Sequence, residues 1–147
     1  MADIKLDLGV KQFSLGGKVS VEFNPTDLNF LERLMDIIAD LDNKQSEYET
    51  RVKGVDIEGG VAAAQDFFDI VHEAEEYMRG RLDALFGVEV SEPLLGDVSI
   101  YARNTDGLPI WLGILFAIFD QMEVANTQAD KDAAKRIQKY TAKYRRK

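Results

Sequence analysis

Only one place in this sequence gathers residue types that could do chemistry, and it surrounds the single histidine, His72. Asp69 lies three residues before it and Glu76 four after, so on a helix the three share a face. They would offer a divalent metal one nitrogen and several carboxylate oxygens. The pattern goes no further. His72-Glu73-Ala74-Glu75-Glu76 is not an HExxH zinc motif, because the chain has no second histidine. Di-iron bundles need Glu-x-x-His on two helices and meet the same obstacle. There is no GxSxG elbow and no dinucleotide glycine pattern, and Gly16-Gly17-Lys18 lacks the GxxxxGK[ST] spacing of a phosphate loop. With no cysteine, thiolate chemistry and disulfides are excluded. The remaining carboxylates are spread over helix faces. The residues predict no catalytic group, no metal and no cofactor: a non-enzymatic protein.

The element that must carry His72 is the stretch Val61 to Gly87. Ala64, Phe67, Val71, Ala74, Met78, Leu82 and Leu85 recur at steps of three and four, one face of an amphipathic helix. Asp66, Asp69, Glu73, Glu76 and Asp83 take the opposite face. Gly87 follows Leu85 and Phe86 where a left-handed cap is wanted. Before it, Asn24 as cap, Pro25 in the first helical position and Asp27 predict a helix from about 25 to 53. Its apolar face is Leu31, Leu34, Ile38, Leu41, Tyr48 and Val52. Gly54, Gly59 and Gly60 mark the connection, so these two helices (25–53 and 60–86) form an antiparallel hairpin.

Upstream, Ile4, Leu6 and Leu8 alternate with charged residues, a short strand signal that Gly9 interrupts. A β-hairpin follows over about 10–23. A three-residue loop, Gly16-Gly17-Lys18, sets Leu15 opposite Val19 and Phe13 opposite Val21, which puts the large apolar side chains on one face. After Gly87 comes an irregular connector with a helical turn near Leu94-Leu95. An apolar helix spans about 109–125, and a basic helix or tail spans 128–147. The fold class is therefore mainly α (α+β): one domain over 1–127, with the β-hairpin packed on the helical hairpin, and a C-terminal extension.

A chain of 147 residues suits one such domain, and 46% hydrophobic with 30% charged residues is an ordinary globular balance. Met1-Ala2-Asp3-Ile4 has no basic or long apolar leader, and the apolar run Leu108 to Phe119 is 12 residues, short for a bilayer. The expectation is a cytoplasmic, soluble chain without a membrane partner. Its net charge of −8 hides an asymmetry. From Lys131 onward eight Lys/Arg oppose one Asp, a net +7, which leaves ten basic and 25 acidic side chains, a net −15, in the preceding 130 residues.

Two candidate binding segments follow. Ile110 to Phe119 is apolar all round except Gly113, so it must be covered by its own domain or by another subunit. Trp111, Leu115 and Phe119 share a face there, with Ile110 and Phe116 beside them, as anchors for a partner or for self-association into an oligomer. In the tail, Lys135, Arg136, Lys139, Lys143, Arg145 and Arg146 interleave with Ile137, Tyr140 and Tyr144. They are candidate contacts for a polyanion, for an acidic partner, or for the acidic body of a neighbouring copy. The acidic body opposes nucleic-acid binding.

Three stretches carry a resemblance: Phe23-Asn24-Pro25-Thr26-Asp27 running from strand into helix, Arg81-Leu82-Asp83-Ala84-Leu85-Phe86-Gly87 closing the second long helix, and Leu94-Leu95-Gly96 ahead of the apolar helix. In that order, and over most of residues 19–125, the chain resembles the tail assembly chaperones of long-tailed bacteriophages and prophages of Gram-positive bacteria. It departs in the connector Val88 to Pro93, which is less glycine-rich, and in its greasier apolar helix. The resemblance implies a non-enzymatic viral tail assembly factor in the bacterial host cytoplasm. Its partners would be the tape measure protein, which it keeps soluble, and tail tube subunits, which it helps recruit. Such proteins are absent from the finished particle, and many also occur as a longer frameshifted form. The rival readings are a small nucleic-acid-binding or regulatory protein acting through the basic tail, and a structural tail subunit. Salt-sensitive retention on DNA that is lost without residues 131–147 would mark the first, and presence in purified particles the second.

Overall fold

The computed structural model describes residues 1–56 and 58–145; beyond Gln128, side chains are described only at Lys131, Asp132 and Lys135. Strands β1 (Lys11–Leu15) and β2 (Val19–Phe23) form an antiparallel hairpin. Leu15 pairs with Val19 and Phe13 with Val21, the register in which one face collects the apolar side chains. Gly16 and Gly17 both have positive φ, 58° and 70°, which lets the Lys18 N–H reach the Leu15 carbonyl at 3.0 Å. The strand signal at Ile4, Leu6 and Leu8 does not become a strand. Asn24 Nδ2 donates to the Leu8 carbonyl at 2.8 Å, Gly9 turns the chain at φ 71°, and Ile4, Leu6 and Leu8 stay exposed.

Helix α1 spans Leu28–Lys53 rather than starting at 25. Asn24 does not cap it: its Oδ1 accepts from the Thr26 N–H and hydroxyl, holding Pro25 in a turn, and Asp27 is the cap, accepting from Asn29 N at 2.9 Å. A side chain that closes its own Asx turn is no longer available to a helix N-terminus. Helix α2 (Val61–Phe86) ends as the sequence predicts, on a left-handed Gly87 at φ 70° whose N–H reaches the Asp83 carbonyl. A short helix α3 (Ser91–Leu95) follows.

Helix α4 runs unbroken from Ile110 to Arg145, where the sequence predicts an apolar helix ending near 125 and a separate tail. The junction has no Gly or Pro, and Asn126 Nδ2 donates back to the Met122 carbonyl at 2.9 Å instead of ending the helix.

The core lies where β1 and β2 cross the helical hairpin and α4 lies on α1. It holds Val21, Phe23, Phe30, Leu34, Ile37, Leu41, Met78, Leu82, Leu85, Ile100, Trp111, Leu115, Ile118 and Met122. Phe23 stacks between Phe13 and Phe30 with centroids 4.5 Å apart on each side, and Phe86 tilts against it at 6.1 Å. Each such large apolar side chain, fully buried, contributes about 1.5–3 kcal/mol. No helix among the described residues is long and apolar enough to cross a membrane.

Candidate functional site

The apolar stripe of α2 extends beyond the core that covers it. Ala74, Met78, Leu82 and Leu85 are buried, but towards the start of the helix Ala64 is exposed, Phe67 is 36% exposed and Phe68 54%. The facing end of α1 behaves alike: Tyr48 is buried, while Val52 and Val55 beyond it are only half-covered. The result is an apolar groove at the end of the molecule where α1 turns into α2. One depression of about 280 Å³ lies among Tyr48, Val52, Ile70, Val71, Ala74 and Tyr101. A second, of about 310 Å³, shares Val52 and continues over Val55, Ala63, Phe67 and Phe68. Glu49 and Lys53 stand at its rim, while the carboxylates of Asp66, Asp69 and Glu73 line a separate depression of about 450 Å³ with Arg51. There Arg51 ties α1 to α2, with Nη1 2.8 Å from Glu73 and its guanidinium 5.5 Å over the Tyr48 ring. Burial raises the pKa of Tyr48 and more strongly that of Tyr101, whose hydroxyl donates to the Ala74 carbonyl at 3.3 Å. An apolar floor with a charged rim suits an amphipathic helix or an extended apolar segment; it offers no nucleophile and no acid–base pair.

The anchors expected on the apolar helix are corrected by their burial. Trp111 is 2% exposed and Leu115 is fully buried; both face α1, and Trp111 Nε1 donates to Gln45 Oε1 at 2.6 Å. Ile110 and Phe119 pack half-buried on the same core. Phe116 alone of the five is exposed, at 42%. An all-apolar helix gave no sign of which side its own domain would take, and α1 takes the Trp111 side. Of the basic residues named in the tail, Lys135 is exposed, and Arg136, Lys139, Lys143, Arg145 and Arg146 lie outside the described side chains.

His72 is exposed on the rim of a broad, open depression along α2. Its polar neighbours are committed to holding the connector. Glu75 accepts from Ile100 N at 2.8 Å, from Ser99 Oγ at 2.8 Å and from Arg79 Nε at 2.8 Å, while Arg79 Nη2 donates to the Gly96 and Val98 carbonyls at 2.9 Å. Asp83 accepts from Val90 N and Ser91 N at 2.8 Å and from Ser91 Oγ at 3.0 Å. Among the described residues no group of three or more His, Asp or Glu is placed to hold a metal ion.

Comparison of the chain with protein-family models, with curated proteins and with solved structures finds no match.

Proposed function

We propose that this chain is a non-enzymatic tail assembly chaperone that binds a long helical tape measure protein, keeps it soluble and helps recruit tail tube subunits. The identity of the client rests on the resemblance of the ordered motifs. The observation that supports a client-holding role is the apolar groove at the α1–α2 turn, whose floor is a helix stripe left without a cover. Exposed Phe67 and Phe68 would gather apolar residues of the client, and a body of net charge −15 before the tail would keep the complex dispersed. Amphipathic segments docking in apolar grooves need no chemistry beyond burial, in keeping with the absence of any assembled catalytic motif in the sequence.

The reading is tested by co-expressing the chain with a tape measure protein and measuring the soluble client that co-purifies. Phe68→Asp, placed in the groove, is expected to abolish co-purification, whereas Phe116→Asp on α4 leaves it intact. Recovery of this chain inside finished particles would instead support a structural subunit.

A further inference from the structure

We propose that residues 3–9 of two copies of this chain pair with each other as antiparallel strands and so form a symmetric dimer. Ile4, Leu6 and Leu8 are between 72% and 80% exposed, and they alternate with Asp3, Lys5 and Asp7. Among the described residues, no backbone group of residues 3–7 bonds to another backbone group. The Leu8 carbonyl accepts from Asn24 Nδ2 at 2.8 Å, which fastens the segment to the residue that follows β2. Asp7 Oδ1 accepts locally from Gly9 N at 2.9 Å. Alternation of this kind belongs to a half-buried strand, and within its own chain the segment has neither a neighbouring strand nor a cover.

The segment is complementary to itself in one antiparallel register. With Leu6 on the two-fold axis, Ile4 faces the second copy's Leu8 and Lys5 faces the second copy's Asp7, each pair occurring twice by symmetry. The apolar side chains of both copies then share one face, and both lysines meet carboxylates on the other. Other registers lose one of these matches. An axis at Lys5 or at Asp7 sets that charge against itself, and an axis at Leu8 sets Lys5 against Lys11. An axis at Ile4 pairs Lys5 with Asp3 but leaves Leu8 unpaired and Leu6 against Ala2. An axis between two residues puts apolar side chains opposite charged ones and splits the faces. A two-stranded ribbon is marginal by itself, so the dimer is weak and follows protein concentration. It uses neither the groove at the α1–α2 turn nor a client.

Sedimentation equilibrium of the full chain reads it directly. The chain is expected to approach twice its 16.5 kDa mass as concentration rises and to return to the monomer mass on dilution. Lys5→Asp and Asp7→Lys each turn both charge pairs into like pairs, and each is expected to raise the dissociation constant about tenfold. Mixing these two variants is expected to give a heterodimer about as tight as the wild-type dimer, because opposite charges face each other again. The double variant Lys5→Asp/Asp7→Lys should recover the homodimer for the same reason. The chain has no cysteine, so single cysteines report the register. Leu6→Cys, on the axis, is expected to give a disulfide-linked dimer on mild oxidation. Leu8→Cys is not, because its two copies lie about 13 Å apart at about 3.3 Å per residue. Circular dichroism checks that each variant is folded. The proposal is overturned if the full chain stays monomeric at every concentration, if the single charge reversals leave the dimer unchanged, if the double variant fails to restore it, or if Leu8→Cys cross-links as readily as Leu6→Cys.

Discussion

Asp83 illustrates how a residue's helical position and its role diverge. Its spacing puts it on the acidic outer face of α2, yet its carboxylate gathers the Val90 and Ser91 N–H groups and the Ser91 hydroxyl. The partners lie seven and eight residues on, across a connector whose course no periodicity reveals. Asp83→Ala leaves the buried Ser91 without this acceptor and is expected to lower unfolding stability by about 1–3 kcal/mol in urea titration. Glu75 and Arg79 are the same case, tied to Ile100 and to the Gly96 and Val98 carbonyls. Tyr101 gives a pH dependence. Burial raises its pKa above the ordinary 10.0, so the folded state holds the phenol proton more tightly than the unfolded chain. That stabilisation is fully present below pH 10 and is lost as pH rises beyond it. Urea midpoints measured upward from neutral pH should fall above about pH 10, and less steeply in Tyr101→Phe, which has no proton to lose.

At the scale of elements, the sequence was most informative where local chemistry decides alone. The β1–β2 register followed from alternation and two glycines, and the end of α2 from Gly87. Asn24 and Asp27 are both good caps, and only the Asx turn over Pro25 selects between them, so the sequence alone does not fix the start of α1. The length of α4 is hidden in the sequence because a change from apolar to basic composition resembles a boundary, although nothing in the backbone chemistry breaks there. Its packing side was illegible for another reason: a helix apolar all round has no moment to orient it. Leu115→Ala, within the α1–α4 seam, is expected to cost about 2–5 kcal/mol of stability. Phe116→Asp, on the exposed side, should stay within about 0.5 kcal/mol of the wild type. Thermal or urea unfolding of the two variants checks the orientation. The motifs that carry the family resemblance all belong to this scale. Phe23 to Asp27 builds the strand-to-helix corner, Arg81 to Gly87 ties α2 to Asp40 of α1 and to the connector, and Leu94-Leu95-Gly96 seats α3. They hold the framework and leave the groove residues unspecified.

At the scale of the whole molecule, the groove exists because two helices outrun the core that unites them. The sequence showed the stripe through Phe67 and Val71, but a stripe alone does not say whether its own domain covers it. That depends on where α4 and the hairpin pack: α4 begins at Gln45, on the edge of the groove, and leaves Val52, Phe67 and Phe68 beyond it without a cover. The acidic body and basic extension were plain from charge counts, whereas the separation between them depends on α4 being one helix. The central claim is that the uncovered groove holds a long apolar helical client. The most direct measurement is the soluble yield of a co-expressed tape measure protein with the wild type, Phe68→Asp and Phe116→Asp, with bound stoichiometry read by light scattering. The account predicts soluble client with several copies of the wild type or Phe116→Asp bound, and insoluble client with Phe68→Asp. A client that stays insoluble with the wild type, or is equally soluble with Phe68→Asp, would contradict it.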